Sequence, residues 1–172
     1  FVLNNTIKTT ARRARGVFIE GANTSLIANN TIVTIGQFGY GIYAYLYADN
    51  NTAEYNRINT SGDSTTAIEF DQSNDNVVRH NTIHTVNLSA FGVYFFGAHS
   101  HYAINNTINT TAQAGRGIMF ERTNNSFAIN NTIITSGLFG FGIYFFDTTF
   151  NNTLESNDIN TTGNTASAIR LD

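Results

Sequence analysis

The sequence predicts an all-β fold, a right-handed parallel β-helix with three short strands per coil, about 25 residues per coil and six to seven coils. Three observations predict it. The first is a repeat: Asn5, Asn30, Asn56, Asn81, Asn106, Asn131 and Asn157 are each followed two residues later by isoleucine, at steps of 25, 26, 25, 25, 25 and 26 residues. A fixed period between about 20 and 50 residues marks a stacked-repeat architecture. The second is that every repeat divides into three short, β-branched-rich extended pieces. The third is that no stretch carries the 3.6-residue periodicity of a helix. The repeat spans the chain, which reads as one solenoid domain, 1–172, with ends that look uncapped, an excerpt of a longer chain or a unit that stacks.

The first strand of a repeat runs into the asparagine, as in "SLIAN" (25–29), and a turn follows. The tetrad "NNTI" stands there at 4–7, 29–32, 105–108 and 130–133. A turn between strands favours a residue that tolerates positive φ, and asparagine does so better than any residue but glycine. Stacked amides also bond up and down a ladder. On this reading Asn5, Asn30, Asn56, Asn81, Asn106, Asn131 and Asn157 form a structural ladder in left-handed turns. The preceding position is freer, because Asn4, Asn29, Asn105 and Asn130 give way to Tyr55, His80 and Ser156 in other repeats.

The second strand is the "TIxT" segment. Its outward residues include Lys8, Val33, Asn59, His84, Asn109, Ile134 and Asn160, too mixed a column for a flat threonine array that binds ice. The third strand starts at Gly-Ile or its equivalent, as in "GIYAY" (41–45) and "GIYFF" (142–146). Strand alternation turns the residue after that Ile outward, and the one two further on. The farther position reads Glu20, Tyr45, Asp71, Phe96, Glu121, Phe146, Asp172, and the nearer Phe18, Tyr43, Glu69, Tyr94, Met119, Tyr144, Arg170. Between them Ile19, Ala44, Phe70, Phe95, Phe120, Phe145 and Leu171 are never polar and face the core.

Even coils therefore carry outward aromatics, namely Tyr40, Tyr43, Tyr45, Phe91, Tyr94, Phe96, Phe141, Tyr144 and Phe146, while odd coils carry charge. A longer period joins "NNTIKTTARRARGVFIE" (4–20) to "NNTINTTAQAGRGIMFE" (105–121), so duplication of two coils, then of four, accounts for all three periods.

The strings "NNTI", "GIY" and "SNDNVVRHNTI" resemble the Asn-rich short repeats of NosD-like proteins in the pectin lyase-like superfamily of right-handed parallel β-helices. The resemblance implies the fold. It leaves function open, because that fold carries lyases, hydrolases, epimerases, adhesins and scaffolds.

Composition excludes several classes. Charged residues are 12% of the chain, against about 25% in an average domain, and the net charge is −3, so there is no electrostatic footprint for nucleic acid or an anionic membrane. The only basic cluster is Arg12, Arg13 and Arg15. There is no cysteine, and no apolar run approaches the roughly 20 residues needed to span a bilayer as a helix. Each of Asn4, Asn29, Asn105 and Asn130 opens an N-x-T sequon, with further sequons at Asn23, Asn50, Asn59, Asn87, Asn109, Asn124, Asn151 and Asn160. Asn4, Asn29, Asn105 and Asn130 are thereby candidate glycosylation sites, although repetition in an Asn- and Thr-rich chain accounts for the sequons without glycosylation.

The candidate catalytic residues are Glu69 and Asp71, on one strand face about 7 Å apart by strand rise, a separation that suits inverting glycoside hydrolysis. Repeat-regular acids ordinarily form a solvated face, and no loop is long enough to build a cleft around them, so no catalysis is expected. His80, His84, His99 and His101 fall within one coil but on different strands and turns, so neither metal nor other cofactor is expected. The function expected is a non-catalytic extracellular or cell-surface scaffold that associates with itself through the aromatic stripe or the open ends. The alternative is a carbohydrate-binding or carbohydrate-active protein whose partner is an extended polysaccharide.

Overall fold

The computed structural model describes residues 1–172 and contains strands and turns but no helix. Three parallel seven-stranded sheets run the length of the molecule. In the second coil the strands are Leu26–Ala28, Thr31–Thr34 and Tyr40–Tyr45, and each pairs in register with its copy in the next coil, as Ile32 with Ile58 and Ile42 with Ile68. The chain is thus a parallel β-solenoid of seven coils with three strands per coil.

Alternation fills the interior with columns of like residues. The Thr-Ile-x-Thr strand turns its isoleucine inward, and Ile32, Ile58, Ile83, Ile108 and Ile133 are buried. Phe70, Phe95, Phe120 and Phe145 stack face to face at 5.0–6.0 Å between centroids along the third sheet. Where that sheet bends, a side chain has little room: a Cβ on Gly117 would lie 2.5 Å from the Gly142 carbonyl oxygen and 2.3 Å from the Ile133 methyl. Ala67 and Ala168 occupy this corner in two other coils.

The asparagine column is a ladder of hydrogen bonds. The Asn81 backbone N–H and side-chain amide both donate to the Asn106 Oδ1, at 3.0 and 3.1 Å, and the Asn106 amide donates in turn to the Asn131 Oδ1 at 3.0 Å and to the Val78 carbonyl at 2.8 Å. The pattern runs from Asn5 through Asn30 and Asn56 to Asn157. The backbone corrects one expectation. Positive φ belongs to the residue before the ladder asparagine, at Asn4, Asn29, Tyr55, His80, Asn105, Asn130 and Ser156, with φ from 53° to 58°. The ladder asparagines are fixed by their side chains, not by a left-handed turn.

Two polar columns were not read from the sequence. Thr34, Thr60, Thr85, Thr110 and Thr135 close the second strand with their side chains buried. A second ladder precedes the first strand: the Ser25 N–H donates to the Asn51 Oδ1 at 2.7 Å, the Asn51 N–H to the Asn76 Oδ1 at 2.8 Å and the Ser126 N–H to the Asn152 Oδ1 at 2.8 Å. His101 interrupts this column. It is fully buried, stacks on Phe95 at 4.4 Å, and neither ring nitrogen has a hydrogen-bond partner.

Candidate functional site

The outer face of the third sheet gathers the aromatic stripe and the candidate carboxylates. In-register pairing sets Glu69 between Tyr43 and Tyr94, and Asp71 between Tyr45 and Phe96. All nine stripe residues point away from the core, yet they do not form a wide apolar patch. Phe141 and Tyr144 are 5% and 6% exposed, and of the nine only Phe146, at 39%, stands largely free. The rest are half-buried.

The rings cover one another. Tyr43 has Tyr40 stacked on one side at 4.6 Å and Tyr45 on the other at 5.9 Å. Tyr94 sits likewise between Phe91 and Phe96, and Tyr144 between Phe141 and Phe146. Guanidinium groups add a further layer, with Arg116 5.0 Å from the Phe91 ring and Arg170 4.8 Å from the Phe141 ring. Such contacts favour arginine over ring faces that are already partly dry.

Each middle tyrosine also reaches the acid of the following coil. The hydroxyl of Tyr43 donates to Asp71 at 3.0 Å, that of Tyr94 to Glu121 at 2.6 Å and that of Tyr144 to Asp172 at 2.9 Å. The signal for these pairs was present in the sequence as the alternation of tyrosine and acid across coils. Parity shows which side a residue faces but not that a tyrosine spans to the next coil.

Glu69 is 8% exposed. Burial, aided by repulsion from Asp71 and Glu121 and opposed by a hydrogen bond with Thr66, pushes its carboxyl up to about 8. Asp71 is also raised by burial, against the hydrogen bonds from Tyr43 and Gln72. The pair thus consists of a covered acid that keeps its proton at neutral pH and a neighbour whose Oδ2 is engaged by a tyrosine. Neither lies in a cleft.

The histidines are dispersed: His80 is exposed and stacked on Tyr55 at 4.9 Å, His84 is exposed on the second sheet, His99 is exposed in a loop, and His101 is buried. The sequon residues Asn4, Asn29, Asn105 and Asn130 are exposed at their corners. A further set of residues was missed. In the loops between the second and third sheets, Ile35, Leu88, Leu138 and Phe139 are exposed and belong to even coils only, so the period-two pattern continues into an apolar ridge beside the stripe.

Residues 15–171 match the family described as right handed beta helix region. No curated protein and no solved structure matches the chain.

Proposed function

The chain belongs to the right-handed beta helix family, and from that premise we propose that it is a non-catalytic scaffold of an extracellular or cell-surface assembly, associating laterally with copies of itself. One observation carries the reading: the outward groups of the third sheet satisfy each other. The middle tyrosines have rings on both sides and acids on their hydroxyls, and Glu69 is covered. A sugar stacks on an open ring face, which Tyr43, Tyr94 and Tyr144 lack. Exposed beside them is the ridge of Ile35, Leu88, Leu138 and Phe139 with Phe146, apolar surface of the kind that seeks a protein partner.

Sedimentation of the purified chain over a range of concentrations tests this. The parent is expected to form concentration-dependent assemblies, and the triple variant Leu88→Ser, Leu138→Ser, Phe139→Ser to remain a folded monomer. A parent that stays monomeric while binding a polysaccharide from a glycan panel would place it in the carbohydrate-binding class instead.

A further inference from the structure

Arg12, Arg13 and Arg15 are exposed, and none is paired with a carboxylate, whereas Arg79, Arg122 and Arg170 each are. Two of them, with Phe38 and Tyr40, line the largest concavity on the molecule, an open groove of about 360 Å³. We propose that this groove binds a monoester oxyanion, a phosphate or a sulfate, carried on a ring that lies against Tyr40.

Of the two lining arginines, Arg13 and Arg15, the second is held ready for such a group: Arg15 lies over Phe18 and Tyr43 at 4.2 and 4.9 Å, and Arg12, outside the groove lining, lies over its Phe38 ring at 5.3 Å. An arginine laid on a ring keeps its in-plane N–H edge for bidentate bonding to an oxyanion, and less freedom is lost when the bond forms. Tyr40 has one face taken by Tyr43 and turns its remaining surface to the groove. Glu69 and Asp71 both act on Tyr40, and burial keeps Glu69 protonated through neutral pH, so one of these two acids brings no charge against the guanidiniums.

Repetition does not account for the cluster. In the duplicated segment the counterparts of Arg12, Arg13, Arg15, Phe38 and Tyr40 are Gln113, Ala114, Arg116, Phe139 and Phe141. The rings survive there and two of the three charges do not. This site shares no residue with the apolar ridge, and it stands or falls without the scaffold reading.

Calorimetric titration of the purified chain with phenyl phosphate, phenyl sulfate and inorganic phosphate tests it. At least one phenyl ester is expected to bind saturably, one per chain, and the stronger of the two identifies the oxyanion. Inorganic phosphate should bind about tenfold more weakly, and Arg13→Gln with Arg15→Gln should weaken the ester by about tenfold or more. Arg57→Gln, which removes an exposed charge outside the groove, should leave binding within about twofold of the parent. Absence of saturation with both esters overturns the proposal, as does an equal loss in Arg57→Gln. Equal affinity for inorganic phosphate overturns the assignment of the ring.

Discussion

Asn105 and Asn106 are neighbours with different reasons to be asparagine. Asn106 is held by its side chain: its Oδ1 takes two donors from Asn81, and its amide donates both ways along the column. A buried polar group left unpaired costs about 1–3 kcal/mol, and Asn106→Ala strands the Asn81 N–H and takes a donor from the Val78 carbonyl, so a loss of about 3 kcal/mol in urea unfolding is expected. Asn105 is held by its backbone at φ 54° with its side chain in water. Asn105→Ala should cost about 1 kcal/mol and Asn105→Gly almost nothing. Equal losses at 105 and 106 would contradict the ladder. Two buried titrating groups set a pH profile at the same scale. Glu69 has its folded value raised from 4.5 to about 8, so the native state holds a proton that the unfolded chain has released, and stability falls as pH rises from 4.5 to 8. His101 has its folded value lowered from 6.5 to about 3, chiefly by burial, so the unfolded chain takes up a proton first and stability falls as pH drops from 6.5 toward 3. Between 4.5 and 6.5 the two slopes cancel, giving a plateau with a decline on each side. Glu69→Gln should remove the alkaline decline, on the order of 2 kcal/mol by pH 8.5. His101→Asn should remove the acid decline, because asparagine fits the column that Asn51 and Asn76 already form. Unchanged urea midpoints across pH 3.5 to 8.5 in the parent would refute both assignments.

The third strand carries two faces with opposite tolerance to change. Phe120 stacks between Phe95 and Phe145 with no exposure, and its replacement by alanine should cost about 4 kcal/mol through lost burial and the cavity left behind. The outward variant Tyr45→Ser, Phe96→Ser, Phe146→Ser should keep the fold, with a lower melting temperature from lost ring contacts. Unfolding of that triple variant would mean that the outward rings are core. The alternation behind this contrast was legible, because Ala44, Phe70, Phe95 and Phe120 are apolar in every coil while their neighbours switch between ring and charge. What was not legible depends on torsion angles and on reach between coils. Asparagine's tolerance of positive φ points to the ladder position, yet the left-handed corner is the residue before it, which accepts Tyr55, His80 and Ser156, whereas the hydrogen bonding of the ladder does not. The second ladder stayed hidden because its occupants, Ser25, Asn51, Asn76, His101, Ser126 and Asn152, share a role but not a side chain. Parity gave the outward direction of Phe141 and Tyr144, but not that neighbouring rings and arginines would bury them.

In a solenoid each coil touches only its neighbours, so stability is a sum of coil terms and interfaces between adjacent coils. Here the outer interfaces join unlike partners: an aromatic coil supplies the tyrosine hydroxyls, and the next, charged coil supplies the acceptors, as from Tyr43 to Asp71 and from Tyr94 to Glu121. The unit of the molecule is therefore two coils, which distinguishes it from a plain 25-residue repeat. Excision tests this directly. Removing residues 57–106 joins Asn56 to Thr107 and sets the strand Tyr40–Tyr45 beside Arg116–Glu121, so Tyr43 meets Glu121 and the alternation is intact. Removing residues 57–81 sets Tyr40–Tyr45 beside Ala90–Phe96, so two aromatic coils are adjacent and Tyr43 faces Phe96 instead of an acid. Both deletions restore the Asn-x-Ile anchor and the inner columns. The shorter deletion keeps more coils, and coil number alone predicts that it is the more stable. Outer-face matching predicts the reverse order per interface: the 57–106 deletion should melt in one sharp transition. The 57–81 deletion should lose about 1–2 kcal/mol at the mismatched junction, where one hydroxyl lacks its carboxylate and six rings compete for the space of three, and its melting should broaden. Equal sharpness in the two, with the 57–81 variant more stable, would show that the coils stack without regard to the alternation.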